Sequence, residues 1–132
     1  MSQFLRKFPN LLAVYGTLKD GYHNNHLLTE AGFDLVGVTY TADPKFTLEG
    51  GMRFPIAREG GTSQILCELY QFSKFQQLTE IDKLEHHPTW YKRKLFDFQN
   101  GERAWMYVQP CDPNINYSLT RIRERKGVQK WI

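Results

Sequence analysis

Cysteine is scarce in this chain of 132 residues, and long apolar runs are missing. Cys67 and Cys111 lie far apart and match no C-x-x-C pattern, so the sequence predicts reduced thiols rather than a disulfide framework or a zinc site. The apolar run around Cys67 favours a buried packing residue over a nucleophile. The N-terminal segment lacks the apolar core of a signal peptide, and no later stretch approaches the ~18 to 20 apolar residues of a membrane helix. We therefore expect a soluble, cytoplasmic protein with no membrane partner.

Several catalytic motifs are missing as well. The chain contains no G-x-x-x-x-G-K-[ST], G-x-G-x-x-G, G-x-S-x-G or H-E-x-x-H pattern, which removes the usual support for nucleotide-binding, serine-hydrolase and zincin chemistry. His23 with His26, and His86 with His87, could contribute metal ligands, but neither pair has a third ligand at a recognised spacing. Surface or packing roles are favoured for these histidines, and we expect no metal and no cofactor.

The composition predicts one compact domain. With 41% hydrophobic and 23% charged residues, the chain can bury enough apolar surface to fold as a single domain over residues 1–132. The net charge is only +3, but cations crowd the basic C-terminal extension, residues 111–132. A solvated tail or a last helix is favoured there, and a nucleic-acid partner is disfavoured because only Trp131 lies nearby to stack on bases. The sequence does not predict an oligomeric state.

Short apolar runs separated by turn residues predict most of the chain as strands. The predicted strands cover residues 11–15, 33–41, 45–48, 54–57, 64–72, 91–98 and 103–109. Asn100 and Gly101 form the strongest hairpin signal, between the last two of these strands. Many short strands with one clear helix indicate an α+β fold: a mostly antiparallel sheet curled into a small partial barrel, with the helix packed beside it.

A change of hydrophobic period predicts that one helix. Ser73 and Gln76 form a capping-box pattern, and Phe75, Leu78 and Ile81 then share one helical face over about three turns. Pro88 prevents the helix from continuing, so residues 82–87 belong to its end or to the following loop.

Two features could carry chemistry. Gly16 directly follows a predicted buried strand, and Gly21 comes five residues later, so the loop between them can turn its amide N–H groups toward a carboxylate or an oxyanion. Glu85, near the predicted helix end, is a candidate acid or base. Taken separately, each feature has a simpler interpretation, because tight turns after strands and solvated glutamates at helix ends are both common.

Four segments together resemble one family. Residues 14–21 read V-Y-G-T-L-K-D-G, Phe54 precedes Pro55 and Ile56, residues 81–85 read I-D-K-L-E, and residues 91–93 read Y-K-R. In this order and spacing, over about residues 12–110, the segments resemble the γ-glutamyl cyclotransferase-like (AIG2-like) superfamily. The resemblance is closest to its γ-glutamylamine cyclotransferase branch. The chain after residue 110 matches nothing in that pattern.

The resemblance implies an enzyme that cyclises a γ-glutamyl group to 5-oxoproline and releases an amine or amino acid. Glu85 would be the general base and then the general acid, with no metal, nucleotide or covalent intermediate. The alternative is a non-catalytic family member that binds a carboxylate-bearing ligand.

The resemblance also implies a substrate-binding set. Its members are Tyr15, Gly16, Thr17, Leu18, Pro55, Ile56 and Tyr91. The backbone amides of residues 15–18 would hold the substrate, Pro55 and Ile56 would line the pocket, and Tyr91 with Arg93 would support the catalytic loop. A structural role is favoured for the last two residues, since Arg93 can form an ion pair with Asp82.

Overall fold

The computed structural model describes residues 10–50, 55–84, 91–110 and 122–132, and within them it has nine strands and two helices. The strands are β1 (Leu11–Val14), β2 (Asp34–Tyr40), β3 (Phe46–Gly50), β4 (Pro55–Glu59), β5 (Gln64–Gln71), β6 (Lys92–Asp97), β7 (Arg103–Pro110), β8 (Ile122–Arg125) and β9 (Val128–Trp131). The helices are α1 (Asn25–Glu30) and α2 (Phe75–Leu84).

All nine strands belong to one sheet that nearly closes on itself. Its order is β3-β4-β7-β1-β5-β9-β8, with β2 added on β5 and β6 added on β7. Five strand pairs are antiparallel and three, β1–β7, β4–β7 and β5–β9, are parallel. A bridge between Thr41 and Phe98, with a 2.8 Å hydrogen bond from Gln99 N to Tyr40 O, joins the far ends of β2 and β6. The predicted α+β fold with a partial barrel is confirmed.

The central strand β1 is buried on both faces of the sheet. Leu11 and Ala13 of β1 face one apolar cluster, which includes Phe46, Ile65 and Trp131. Leu12 and Val14 face the other, which contains the inward residues of both helices. Burial on both faces explains why β1 is an uninterrupted apolar run rather than an alternating one.

The predicted capping box of α2 is displaced by one residue. The helix begins at Phe75, and Gln77 rather than Gln76 reaches back to its start. The Gln77 Oε1 atom accepts hydrogen bonds from the amides of Ser73 at 2.9 Å and Lys74 at 2.7 Å. Gln77 is the third helical residue, the position from which a side chain can reach the amides before the helix. The predicted length of about three turns and the end before Pro88 agree with the ten residues of α2.

The predicted C-terminal helix or tail is wrong for residues 122–132, which form a β-hairpin. Lys126 and Gly127 make its two-residue turn, with φ of 52° and 81°. The strands alternate, so Gln129 and Trp131 point inward while the neighbouring Lys130 stays exposed. A cluster of basic residues therefore covers the outside of a packed hairpin, called the C-terminal hairpin below.

The helix α1 was not predicted. It has six residues and no side-chain hydrogen bond at its N-cap, so it lacks the periodicity and capping signals that identify longer helices. In the described parts of the chain, no helix is long and apolar enough to cross a membrane.

Candidate active site

The loop that follows β1, called the signature loop below (residues 15–21), is held through its carbonyl groups. Three carbonyl oxygens of the loop accept hydrogen bonds. The donors are Lys19 N to Gly16 O (3.0 Å), Asn24 N to Thr17 O (3.0 Å) and Asn25 Nδ2 to Leu18 O (2.8 Å). Asn24 Nδ2 also donates to Thr17 Oγ1 at 2.9 Å. Among the described residues, no hydrogen bond in this loop uses the amide of Gly16, Thr17 or Leu18. These three successive amides are therefore candidate donors to an acceptor on a ligand.

Gly16 brings this loop against the start of β4. A Cβ atom on Gly16 would lie 2.6 Å from Pro55 Cγ and 2.7 Å from Pro55 Cδ, a contact that no side chain can occupy. Ile56, the next residue of β4, packs against the apolar cluster that contains Leu18 and Tyr91. The structure therefore brings together most of the predicted substrate-binding residues.

The two tyrosines of the predicted set bond to main-chain atoms. The Tyr15 hydroxyl donates to Tyr107 O at 2.7 Å and accepts from Ala57 N at 3.2 Å, which ties the end of β1 to β7 and β4. The Tyr91 hydroxyl donates to Pro55 O at 3.2 Å. Both side chains are buried, so they position the backbone of the site. This agrees with the structural role favoured for Tyr91.

The predicted ion pair between Asp82 and Arg93 is confirmed. Arg93 Nε donates to Asp82 Oδ1 at 2.8 Å and Nη2 donates to Oδ2 at 2.9 Å, while the Tyr107 hydroxyl donates to Oδ1 at 2.6 Å. The hydrogen bond to Asp82 is the main reason that the pKa of Arg93 is raised. The guanidinium also lies over the Trp105 ring, 4.6 Å from its centroid. These contacts attach the last turn of α2 to β6 and β7.

Glu85, together with His86, His87 and Pro88, lies outside the described residues, as does Cys111. The described residues on either side of this segment are Leu84, two residues after Asp82, and Tyr91. Asp82 is bonded to β6 and β7, and Tyr91 is bonded to β4. Both flanks of residues 85–90 are thus attached to strands that carry the candidate site.

A second buried ion pair lies on the Ile56 face of the β3–β4 hairpin. Glu49 is directly opposite Ile56, so the two side chains share a face of the sheet. Arg58 Nε donates to Glu49 Oε2 at 2.6 Å, and no described residue donates to Glu49 Oε1. Burial is the main reason that the pKa of Glu49 is raised, and Arg58 opposes this effect.

The remaining candidates for chemistry have ordinary surroundings. Cys67 is 1% exposed and burial raises the pKa of its thiol, so it is a packing residue, as predicted. His23 and His26 are both exposed, and a ring nitrogen of His26 lies 2.9 Å from His23 O. In the described ranges, no three His, Cys, Asp or Glu side chains are grouped closely enough to hold a metal ion.

The sequence did not identify the side-chain contacts that attach the signature loop to β5 and β9. Glu68 Oε1 accepts hydrogen bonds from Asp20 N at 2.7 Å and from the Tyr70 hydroxyl at 3.0 Å. Lys19 Nζ donates to Trp131 O at 2.8 Å, across 112 positions of sequence. No local pattern marks such residues, because their partners are distant in the chain.

Comparisons with known proteins agree with this architecture. The model of the family "Gamma-glutamyl cyclotransferase, AIG2-like" matches residues 12–126. The Drosophila melanogaster protein "Putative gamma-glutamylcyclotransferase CG2811" is 35% identical over 108 residues, which cover 72% of this chain and 66% of the fly protein. The fly protein is thus longer than the part that this chain matches.

Two solved structures share the fold. An AIG2-like protein of Mus musculus superposes with a TM-score of 0.65 at 21% identity, covering 82% of this chain and 84% of the mouse chain. The protein PH0828 of Pyrococcus horikoshii superposes with a TM-score of 0.64 at 22% identity, with the same coverage of the two chains. With a family match over most of its length, the chain belongs to the γ-glutamyl cyclotransferase, AIG2-like family.

Proposed function

We propose that this protein is a γ-glutamyl cyclotransferase that turns a γ-glutamyl group into 5-oxoproline and releases the attached amine or amino acid. One observation carries the proposal: Gly16 of the signature loop lies against the Pro55 ring, and Pro55 O in turn accepts the hydrogen bond from Tyr91 at the far flank of the Glu85 segment. In a chain of this family, that arrangement supports a site in which the signature loop would bind the substrate and Glu85 would move protons.

The amides of Gly16, Thr17 and Leu18 would bind the α-carboxylate of the γ-glutamyl group. Successive backbone N–H groups form a concave anion site without needing a cationic side chain. The carbonyls of Gly16 and Thr17 already accept hydrogen bonds, so the peptide planes that carry the Thr17 and Leu18 amides are oriented before the ligand arrives. Such preorganisation lowers the ordering cost of binding.

Glu85 would act first as a base and then as an acid. The substrate's α-ammonium, with a pKa of ~8, gives a proton to the Glu85 carboxylate, and the free amine attacks the γ-carbonyl carbon. The new C–N bond closes the five-membered lactam while the original γ-amide C–N bond breaks. The attacking nitrogen loses one further proton as the lactam forms, and both protons pass through Glu85 to the departing nitrogen. The amine therefore leaves as an ammonium, the carboxylate is regenerated and no water is consumed.

Much of the rate would come from holding the substrate folded. Nucleophile and electrophile belong to the same molecule, and fixing such groups in an attack geometry can supply about 7 to 11 kcal/mol of the barrier. The bond changes need no electron acceptor and no external nucleophile, so we propose a reaction that is independent of metals and cofactors. A γ-glutamylamine is the substrate class we favour, on the resemblance of the chain to that branch.

The test is release of 5-oxoproline, measured by mass spectrometry, from a panel of γ-glutamyl amines and γ-glutamyl amino acids. The variants are Glu85→Gln and, as a matched control, Glu80→Gln, which removes an exposed carboxylate from α2. Since positioned acid–base groups contribute about 10² to 10⁴ in rate, Glu85→Gln should lose at least a hundredfold in kcat. Glu80→Gln should stay within about twofold of the parent, because exposed substitutions change little.

The alternatives give different results. Turnover that survives in Glu85→Gln would exclude Glu85 as the proton carrier. If the folded parent protein releases no 5-oxoproline from any member of the panel, the catalytic proposal fails. The non-catalytic ligand-binding alternative then becomes the working hypothesis.

A further inference from the structure

Lys19 is a buried cation within the signature loop. Its residue is 7% exposed, its Nζ donates to Trp131 O at 2.8 Å, and the same atom lies 4.7 Å from the centroid of the Tyr22 ring. Burial lowers the pKa of Lys19, while the nearby Glu68 carboxylate acts in the opposite direction. Burying an ammonium group costs free energy unless hydrogen bonds or opposite charges compensate it. The contacts of Lys19 with other parts of the fold must supply that compensation.

The partner of this ammonium, Trp131, belongs to the C-terminal hairpin, which is anchored in the core. Trp131 is 2% exposed, and its ring lies 5.3 Å from the Tyr22 ring. Gln129 Oε1 accepts a 2.6 Å hydrogen bond from Leu48 N, and β9 pairs with β5. The carbonyl that receives the Lys19 ammonium is therefore fixed to the sheet.

Lys19 bonds in two directions. Its amide donates to Gly16 O at 3.0 Å and closes the turn of the signature loop, while its ammonium reaches the C-terminal hairpin. The C-terminal hairpin is thus bonded to the residue that closes the turn at Gly16. Strand β9 lies beyond residues 12–126, the part of the chain that the family model matches.

We infer that Lys19 is a positioning residue, through which the C-terminal hairpin holds the amides of Gly16, Thr17 and Leu18 in their anion-binding orientation. For the identity of the bound anion, the inference rests on the proposed function. The C-terminal hairpin contributes none of the predicted substrate-binding residues. By this inference, it nevertheless affects substrate affinity.

The test compares Lys19→Met, Lys19→Arg and the control Lys130→Met. Methionine keeps most of the apolar stem of Lys19 but removes the donor and the charge, and arginine restores both. Lys130 is an exposed neighbour of Trp131, so its replacement removes the same charge from the same region without a buried contact. Each variant is measured by calorimetric binding of 5-oxoproline, by kcat and KM, and by the amide chemical shifts of residues 16–18 in the free protein.

Lys19→Met should raise the Kd for 5-oxoproline and the KM about tenfold and change kcat by less than about threefold. Its amide signals for residues 16–18 should shift, whereas Lys130→Met should resemble the parent protein in every measurement. Lys19→Arg should recover most of the lost affinity. A variant that only loosens the fold would lower the melting temperature but leave affinity unchanged at temperatures where it is fully folded.

Unchanged amide shifts and unchanged affinity in folded Lys19→Met would overturn the inference. If Lys19→Met does not fold, Tyr22→Leu removes the ring beneath the ammonium and is measured in the same way, with the same expected loss. The amide shifts need no ligand, so a parent protein that neither binds nor forms 5-oxoproline would count against the proposed function. The inferred link between hairpin and loop would still be decided by those shifts.

Discussion

Replacing Asp82 by asparagine should destabilise the protein far more than breaking an ion pair of equal length at the surface. Arg93 Nε and Asp82 Oδ1 are 2.8 Å apart, with side chains 9% and 12% exposed. Lys94 Nζ and Glu59 Oε2 are also 2.8 Å apart, but those side chains are 47% and 32% exposed. The two pairs thus share one distance but differ in burial and in the number of hydrogen bonds, since Asp82 also accepts from Arg93 Nη2 and from the Tyr107 hydroxyl.

The expected magnitudes differ severalfold. Asp82→Asn removes the charge that faces the buried Arg93 guanidinium and turns an amide donor toward it or toward Tyr107, and breaking such a pair costs about 3 to 5 kcal/mol. Glu59→Gln removes an exposed charge, which costs about 0.2 to 1 kcal/mol. For a domain of this size, the first change corresponds to a melting temperature lower by about 10 to 25 °C.

Both free energies of unfolding are measured by urea denaturation followed by circular dichroism, with thermal melting as a second measurement. A loss below about 1 kcal/mol in Asp82→Asn, or equal losses in the two variants, would refute the argument that the buried pair with several hydrogen bonds contributes more than the exposed pair with one. Activity gives a further check. Because Asp82 fixes the last turn of α2 before Glu85, the folded Asp82→Asn variant should also lose kcat, and Glu59→Gln should not.

Two further predictions concern the candidate site. Gly16→Ala places a Cβ atom 2.6 Å from Pro55 Cγ, so it should raise KM about tenfold, whereas Gly37→Ala, which meets nothing within 4 Å, should leave KM unchanged. Burial raises the pKa of Glu49 above its ordinary value of 4.5, so its ionisation opposes folding as the pH rises above about that value. Parent protein should therefore lose free energy of unfolding relative to Glu49→Gln between about pH 4 and pH 7; a difference independent of pH would contradict the raised pKa.

Local patterns predicted most of the strands and the main helix. The apolar run of β1, the alternation in β5 and the Asn100–Gly101 turn each reflect interactions between residues close in sequence, so they can be read without the fold. The same holds for the helix α2, whose apolar face repeats every three or four residues.

The C-terminal hairpin was not predicted because its pattern in the sequence is weak. β8 has one apolar residue, Ile122, and the inward positions of β9 are Gln129 and Trp131, so apolar and polar residues do not alternate. Its basic composition suggested a tail. Exposed Lys and Arg residues are, however, equally compatible with a helix or a strand that has one solvent-exposed face.

The candidate site was only partly predictable, because contacts between residues far apart in sequence hold its parts together. Gly16 stands out in the sequence, and the first interpretation was that glycine lets the loop amides turn toward a ligand. In the structure its φ is not in the left-handed region, and the need for glycine comes from close contact with Pro55, 39 residues away. Lys19 depends in the same way on Trp131, at the other end of the chain. Where a loop would bind its ligand through main-chain amides, the sequence shows the residues that allow tight packing, such as Gly16. The residues that they pack against can be identified only from the folded structure. We therefore predict that a substitution far from the signature loop, on β4 or in the C-terminal hairpin, will change substrate affinity as much as one within it.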